Sequence, residues 1–158
     1  MLKVSVEHLR LICTHAESTY PQECCGLLLG KPSQDGKTLI EVMPTENTWS
    51  NQAVESFAGI ETQWQLSDNK NTHYTIAPET MLQAQKQARD RQLDIIGIYH
   101  SHPDHPAIPS QFDRVCAWQS YSYIIVSVPQ GKAGELHSWS LDDEHQFQPE
   151  EIVVEKLI

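Results

Sequence analysis

The chain is organised around the stretch from Gly97 to Asp113, which reads GIYHSHPDHPAIPSQFD. The run 93–99 that leads into its histidines is short, apolar and rich in isoleucine, which is typical of a buried strand. Because side chains alternate along a strand, His100 and His102 are expected to project to the same side. Downstream, Ser110 is placed to cap a helix with Asp113 in its first turn. A strand end and a helix start therefore converge, and together they present two imidazoles and one carboxylate.

This set of side chains predicts a metal site. Two imidazoles and one carboxylate match catalytic zinc, which keeps a fourth position for water, whereas structural zinc is closed by four protein ligands. Calcium and magnesium prefer sites richer in carboxylates, although iron and manganese are compatible with the same ligands. Taken singly, most histidines are structural, and Ser110 with Asp113 fits an ordinary capping pair. Their conjunction predicts one zinc-like metal ion per chain, bound by His100, His102 and Asp113.

Hydrolysis at such a metal also needs a general base, which takes a proton from water and passes it to the leaving amine. Glu23 is our candidate because it stands just before the apolar run 24–29. From the sequence alone, an ordinary surface position is the stronger interpretation of this glutamate. Ser110 could donate a hydrogen bond to the oxyanion of the tetrahedral intermediate, a role that competes with helix capping for the same hydroxyl.

The composition restricts the class of partner. The chain has 158 residues and a formal net charge of -10, which fits one domain over residues 1–158 and disfavours nucleic acid or an anionic membrane surface. No apolar run approaches the roughly 20 residues that span a bilayer, and the N-terminus lacks the apolar core of a signal peptide. The adjacent Cys24 and Cys25 make an unlikely disulfide framework, so we expect reduced thiols in a cytoplasmic protein.

The pattern of the first half predicts two helices and three strands. Ser5 is expected to cap a helix that ends by Tyr20, and Pro78 to begin a second helix that ends near Gln92. The strands are expected over residues 23–30, 38–43 and 72–76, of which the first two form a hairpin through a turn at 31–37. Residues 44–71 show no sustained period and are expected to form a long loop, where substrate contacts or a few anchoring aromatic side chains are equally good interpretations.

The second half completes a mixed α/β fold. The helix capped by Ser110 is expected to end near Gln119. Further strands are expected over residues 121–128, 134–141 and 152–154. Because strands and helices interleave without a strict βαβ rhythm, we expect a mixed or largely antiparallel sheet.

The candidate site residues also resemble a known signature. Glu23, the run His100-Ser101-His102-Pro103 and the pair Ser110 and Asp113 together resemble the JAMM (MPN-plus) metalloprotease signature, E…H-S-H-P-x(6)-S-x-x-D. All of its residues are present. The context is similar as well, because residues 21–30 resemble the strand around the catalytic glutamate of that family. The resemblance extends from about Val4 to Leu141.

The resemblance implies a single-domain JAMM/MPN fold of the cytidine-deaminase-like α/β class, with a mixed sheet flanked by helices. It also implies a zinc-dependent peptidase or isopeptidase. In that enzyme His100, His102 and Asp113 would bind zinc, Glu23 would be the acid/base, and Ser110 the oxyanion partner.

The same resemblance implies a kind of substrate. Family members cleave amide bonds after the C-terminal glycines of ubiquitin-like proteins. This short chain has little room for the insertions that hold ubiquitin, so it looks more like the compact prokaryotic members. Those members act on ubiquitin-like sulfur carrier proteins with a Gly-Gly C-terminus, in cysteine biosynthesis or related sulfur transfer. The family resemblance is also compatible with a homodimer.

Two other functions stay open. A non-catalytic scaffold of the same fold is one, although scaffolds typically lack one or more signature residues. A zinc hydrolase of a small amide substrate is the other, but a nucleoside deaminase needs H-x-E and P-C-x-x-C, which this sequence lacks. Among the neighbouring residues, we expect Cys24 and Cys25 to pack in the core, His105 to face solvent and Ser101 to make a supporting hydrogen bond.

Overall fold

An eight-stranded sheet organises residues 1–49 and 69–156, which are the residues that the computed structural model describes. The strands are β1 (Leu2–Ser5), β2 (Cys25–Ser33), β3 (Gly36–Thr45), β4 (Asp94–Pro103), β5 (Ser122–Val128), β6 (Leu136–Leu141), β7 (Phe147–Glu150) and β8 (Ile152–Glu155). The helices are α1 (Val6–Thr19), α2 (Pro78–Asp90) and α3 (Gln111–Cys116), and a 3-10 turn spans Pro129–Gly131.

The sheet is mixed, as the sequence predicts. Its spatial order is β7-β6-β5-β4-β2-β3-β1-β8. β1 runs parallel to β3 and β8, and β4 runs parallel to β5. The other neighbouring pairs are antiparallel, including the predicted β2–β3 hairpin. The strand with the two histidines, β4, therefore lies in the middle of the sheet between β2 and β5.

Both faces of this central region are covered. Leu28 of β2 packs with Ile12 of α1 on one face, whereas Leu27 packs with Ala84 of α2 on the other. A strand that is buried on both faces has a continuous run of apolar residues in its sequence, which explains the apolar run 24–29. Ile98 of β4 belongs to the α2 face. By alternation, His100 and His102 project from that same face.

The helices begin where the sequence predicts. Ser5 caps α1 by accepting a hydrogen bond from the His8 N–H at 3.1 Å, and the Ser5 N–H donates to His8 Nδ1 at 3.0 Å. Pro78 occupies the first turn of α2. In the described part of the chain, no helix is long and apolar enough to cross a membrane.

Residues 72–76 were predicted as a strand, and this is wrong. They join no ladder of the sheet, because other groups satisfy their backbone. Asn47 Nδ2 donates to the His73 carbonyl at 2.9 Å, the Thr75 N–H donates to Asn47 Oδ1 at 3.2 Å, and the Thr48 N–H donates to the Thr75 carbonyl at 2.9 Å. An extended, partly apolar segment is therefore held by a buried amide rather than by a neighbouring strand.

Several boundaries also differ from those predicted. The hairpin turn is shorter than 31–37, because β2 continues to Ser33 and β3 begins at Gly36. β3 reaches Thr45, so the predicted loop begins later than 44, and residues 50–68 of that loop lie outside the described residues. α3 ends at Cys116 rather than near Gln119. The sequence does not predict β1 and β7, because the first runs directly into the cap of α1 and the second is polar apart from Phe147.

Candidate metal centre and active site

Three predicted metal ligands converge on the α2 face of the sheet. His100 Nε2 lies 3.2 Å from Asp113 Oδ1, and His102 Nε2 lies 3.1 Å from Asp113 Oδ2. The two Nε2 atoms are 3.2 Å apart. All three residues are buried, and one ligand atom from each lies within 4.8 Å of the others. The donor atoms thus face one common point.

Sheet register and a helix cap bring these side chains together. In β4, His100 is paired with Cys25 of β2, which fixes the height of the histidines in the sheet. At the start of α3, the Asp113 N–H donates to Ser110 Oγ at 3.1 Å, and the Ser110 N–H donates to Asp113 Oδ2 at 2.9 Å. Capping and ligand placement are therefore one arrangement, because the cap orients the carboxylate toward the histidines.

The two imidazoles are oriented differently. His102 Nδ1 lies 2.8 Å from the Pro106 carbonyl oxygen. Because a carbonyl only accepts, Nδ1 carries the proton and Nε2 is left as the donor atom for a metal. The His100 ring stacks on Tyr74 with centroids 4.5 Å apart, and its Nδ1 has no hydrogen-bond partner within the described residues. On the Nδ1 side, therefore, packing and not a hydrogen bond orients the His100 ring.

Burial and mutual charge set the protonation of the three ligands. Burial lowers the pKa of His100 against the opposing charge of Asp113. Burial works in the same direction on His102, but the hydrogen bond and charge of Asp113 outweigh it and raise the pKa of that imidazole. Asp113 is buried, yet the two histidines hold its pKa well below the usual range. An ionised carboxylate beside a neutral imidazole is the state that metal binding requires.

The donor set fits a divalent metal ion. A buried carboxylate normally needs a paired positive charge. Within the described part of the chain, the ion-pair partners of Asp113 are the two histidines, and no lysine or arginine forms an ion pair with it. Two imidazole nitrogens around one such carboxylate are the ligand chemistry of catalytic zinc sites. The residues present thus suit the group that the sequence predicts.

Glu23 lies beside this centre and is buried. It immediately precedes Cys24, and its N–H donates to the Lys70 carbonyl at 2.8 Å. Glu23 stands two residues before Cys25, which pairs with His100 in the sheet. Burial, and then the charge of Asp113, raises its pKa well above the usual value. The surface interpretation of this glutamate is therefore wrong, and a raised pKa suits an acid/base group.

An apolar cleft of about 580 Å³ adjoins the site and reaches Asp113. Its walls come from residues 74–78, α2, β4 and α3, and include Tyr74, Met81, Phe112 and Trp118. Trp118 is 67% exposed at its rim. Clefts with apolar walls and a few polar groups are typical binding sites. Sequence analysis missed the role of Tyr74 in this cleft, because it lies close to His100 only through the tertiary fold.

The structure also tests the expectations for Ser101, His105 and the cysteines. Ser101 Oγ accepts a hydrogen bond from the Cys24 N–H at 2.8 Å, which confirms a supporting role. His105 is exposed, as predicted. Cys24 packs in the core on the α1 face, and Cys25 is buried beside Thr45, with Sγ 3.4 Å from the threonine hydroxyl. All four cysteines are free, which confirms the expected absence of a disulfide framework.

The sequence matches a family profile described as prokaryotic homologs of the JAB domain over residues 5–142. The chain is 31% identical over 127 residues to the desampylase of Haloferax volcanii, covering 78% of this chain and 73% of that protein. It is 30% identical over 89 residues to the desampylase of Pyrococcus furiosus, covering 55% of this chain and 60% of that protein. The family match includes the strands and the helix that carry the candidate site.

The fold agrees with these matches. A crystal structure of a JAB1/MPN domain protein from Archaeoglobus fulgidus superposes with a TM-score of 0.56 at 17% identity, covering 99% of this chain and 98% of that one. Such a likeness at low identity concerns the fold alone. Together with the family match over most of the chain, it identifies the protein: the chain belongs to the prokaryotic JAB-domain family, has the JAB/MPN fold, and is a JAMM-type metallopeptidase.

Proposed function

We propose that this protein is a zinc-dependent peptidase or isopeptidase that hydrolyses the amide bond after the C-terminal diglycine of a ubiquitin-like sulfur carrier protein. The observation that carries the proposal is the convergence of His100, His102 and Asp113 beside the buried Glu23. The two relatives named desampylase support a ubiquitin-like modifier as the kind of substrate. We further propose that this modifier is a sulfur carrier and that the enzyme acts in cysteine biosynthesis.

His100, His102 and Asp113 would hold the zinc ion through two imidazole Nε2 atoms and the carboxylate. When bound, zinc supplies a Lewis acid that activates water and polarises the scissile carbonyl. The chain itself prepares these ligands. The Pro106 carbonyl fixes the tautomer of His102, and the Ser110 N–H orients the Asp113 carboxylate.

Glu23 would move the proton that hydrolysis requires. It takes a proton from the attacking water, whose oxygen bonds to the carbonyl carbon. It then delivers that proton to the leaving nitrogen as the C–N bond breaks, so that the products are a carboxylic acid and an amine, which ionise to a carboxylate and an ammonium group at neutral pH. A general base is most effective when its pKa lies near the working pH, and burial beside Asp113 raises the pKa of Glu23 in that direction.

Ser110 would stabilise the oxyanion that forms on the carbonyl oxygen. Its hydroxyl accepts the Asp113 N–H, and a hydroxyl that accepts in this way still has its own proton to donate. Capping and oxyanion stabilisation are therefore compatible at this residue, rather than exclusive.

The cleft beside Asp113 would receive the substrate tail. An extended peptide without side chains at its last two positions is thin enough to approach buried ligands, whereas larger residues would contact the Tyr74 wall. The apolar residues at the rim, Leu82 and Trp118, are each 67% exposed and would contact the body of the carrier. Substrate contacts by residues 44–71 stay a prediction, because 50–68 lie outside the described residues.

The proposal also covers the domain organisation, the cellular compartment and the partners of the enzyme. We take residues 1–158 as one catalytic domain, because the central sheet pairs the first described strand, β1, with the last, β8. We place it in the cytoplasm, in keeping with its free cysteines, with no nucleic-acid or membrane partner and with a homodimer allowed.

The test compares zinc-loaded wild type with Glu23→Gln on a sulfur carrier protein extended by one cysteine. Intact mass should show loss of the cysteine with wild type, no loss with a chelator, and at least a hundredfold slower loss with Glu23→Gln. Glu144→Gln, an exposed carboxylate in the β6–β7 turn, is the matched control and should behave as wild type. Intact substrates with zinc bound, across carriers and diglycine fusions, would instead favour a scaffold.

A further inference from the structure

A buried amide next to the active site makes every hydrogen bond it can. Asn47 is 9% exposed. Its Nδ2 donates to the Glu23 carbonyl at 3.0 Å and to the His73 carbonyl at 2.9 Å. Its Oδ1 accepts from the Trp49 N–H at 3.0 Å and from the Thr75 N–H at 3.2 Å. Two donor and two acceptor positions are the full capacity of an amide side chain.

These contacts join the two segments that border the metal ligands. The first is Glu23, which precedes β2 and whose own N–H and carbonyl bond to Lys70 and Asn47 rather than to a neighbouring strand. The second is the His73–Thr75 segment. The Asn47 contacts to His73 and Thr75 stand on either side of Tyr74, whose ring stacks on His100. One side chain thus ties the backbone of Glu23 to the backbone that holds the aromatic wall.

The backbone around Glu23 makes two other hydrogen bonds. The Glu23 N–H donates to the Lys70 carbonyl at 2.8 Å, and the next backbone N–H, that of Cys24, donates to Ser101 Oγ of β4. The two backbone groups of Glu23 itself, its N–H and its carbonyl, are thus held from outside the sheet, by Lys70 and by Asn47. Of these two holds, the Lys70 contact is a single backbone hydrogen bond. The Asn47 contact belongs to a set of four that is buried from solvent, where unmade hydrogen bonds are costly.

We propose that Asn47 is a positioning residue of the active site, which fixes Glu23 relative to Tyr74 and the metal ligands through its two donated hydrogen bonds. The proposal rests on the proposed role of Glu23 as the acid/base. Reacting groups lose about a hundredfold in rate when they are displaced by about 1 Å. Glu23 lies before β2, so hydrogen bonds from outside the sheet must fix its backbone. The backbone of the two histidines is fixed by the pairing of β4 with its neighbouring strands.

The positioning role of Asn47 can be distinguished from a general role in stability, because other contacts hold the candidate metal ligands. Asn47 has no hydrogen bond to His100, His102 or Asp113 among the described residues, and sheet register and the α3 cap hold those three. Loss of the Asn47 contacts is therefore expected to leave zinc affinity nearly unchanged while the rate constant kcat falls. A residue that acts only through stability would lower both in proportion to the fraction unfolded.

The experiment uses two variants of the full chain and one control. Asn47→Asp keeps both accepting contacts and loses both donations, whereas Asn47→Leu loses all four at similar volume. The control is Ser138→Ala on β6, where a serine that is 2% exposed donates to Glu150 Oε1 at 2.8 Å. It removes a buried hydrogen bond away from the site. Each protein is measured for zinc affinity against a chromophoric chelator, backbone hydrogen exchange, and kcat and KM on the cysteine-extended carrier.

Asn47→Asp is expected to lower kcat by about tenfold to a hundredfold with a zinc dissociation constant within about threefold of wild type. Hydrogen exchange should accelerate over residues 22–25 and 72–76 in both Asn47 variants. Ser138→Ala should change neither kcat nor exchange in these segments, even at an equal loss of thermal stability.

Two results would overturn the proposal. One is an Asn47→Asp protein with wild-type kcat at equal zinc occupancy, or with zinc affinity and kcat reduced together. The other is unchanged hydrogen exchange over residues 22–25 and 72–76. The exchange measurement needs no substrate, so it decides the role of Asn47 even if wild type leaves the carrier intact, a result that would count against the proposed function alone.

Discussion

Ser110 and Asp113 exchange two hydrogen bonds at the start of α3, and the carboxylate oxygen that accepts the Ser110 N–H at 2.9 Å also lies 3.1 Å from His102 Nε2. A helix cap and a proposed metal ligand therefore share one atom. Because the cap fixes the carboxylate before any metal binds, the entropy of ordering Asp113 is lost on folding rather than on metal binding. This relationship makes Ser110 a residue whose two roles can be separated by experiment.

Replacing Ser110 by alanine should affect both stability and catalysis, whereas the same change at Ser5 should affect stability alone. Both serines cap a helix through a reciprocal pair of hydrogen bonds. Each substitution should therefore cost about 1 kcal/mol of stability, or about 2–4 °C in Tm. Ser110→Ala should in addition lower kcat about a hundredfold through loss of an oxyanion donor. Thermal unfolding and kcat at saturating zinc measure the two effects, and equal kcat in the two variants would exclude an oxyanion role.

Zinc should stabilise the folded protein, and Asp113→Asn should remove most of that effect. At free zinc of about a thousand times Kd, a metal that binds only the folded state adds about 4 kcal/mol, which corresponds to about 10 °C in Tm for a chain of this length. Asparagine keeps an oxygen that can accept the Ser110 N–H but lacks the charge that the metal needs. Calorimetry with zinc and with a chelator gives the shift. A wild-type Tm that zinc leaves unchanged would contradict the ligand assignment.

Glu23→Gln should stabilise the metal-free protein at neutral pH and not at acidic pH. Burial raises the pKa of Glu23 above the ordinary value of 4.5, so below pH 4.5 both folded and unfolded states hold the proton and the carboxyl does not oppose folding. As the pH rises above that value the unfolded state releases its proton first, and stability falls until the folded carboxyl also ionises. Glutamine has no charge to bury and avoids this loss.

The measurement is Tm against pH for metal-free wild type, Glu23→Gln and the exposed control Glu144→Gln. Glu23→Gln should exceed wild type by a few degrees at pH 7 and converge with it near pH 4, while the control follows wild type throughout. A gain of equal size at both ends of the pH range would show that packing, not ionisation, is responsible.

Trp118→Ser should raise KM for a protein substrate by about threefold to tenfold with little change in kcat, because loss of an apolar contact at the cleft rim weakens binding of the carrier body. The matched control is Leu11→Ser on α1, since Leu11 is 50% exposed and its helix covers the opposite face of the sheet. Kinetics on an intact carrier, and on a short peptide with the same tail, separate the two surfaces. An unchanged KM in Trp118→Ser would place the carrier elsewhere.

The proximity of the three candidate metal ligands could be predicted from the sequence because their arrangement is local. Alternation along a strand places His100 and His102 on one side, and a cap three residues from Asp113 orients the carboxylate. Both patterns act over a few neighbouring residues, so they can be identified before the fold is known. The apolar run of β2 and the amphipathic face of α1, with Ile12 and Ala16, are local in the same sense.

What the sequence by itself determined is therefore the type of chemistry, two imidazoles and one carboxylate presented by a strand and a helix, and the mixed α/β class. Only the tertiary structure decided that Glu23 is buried beside Asp113, that residues 72–76 lie outside the sheet, and that Tyr74 stacks on His100. The reason is physical: these features depend on burial and hydrogen bonds between residues far apart in the chain. The amide of Asn47, which holds Glu23 and His73 together, has no counterpart in any local pattern.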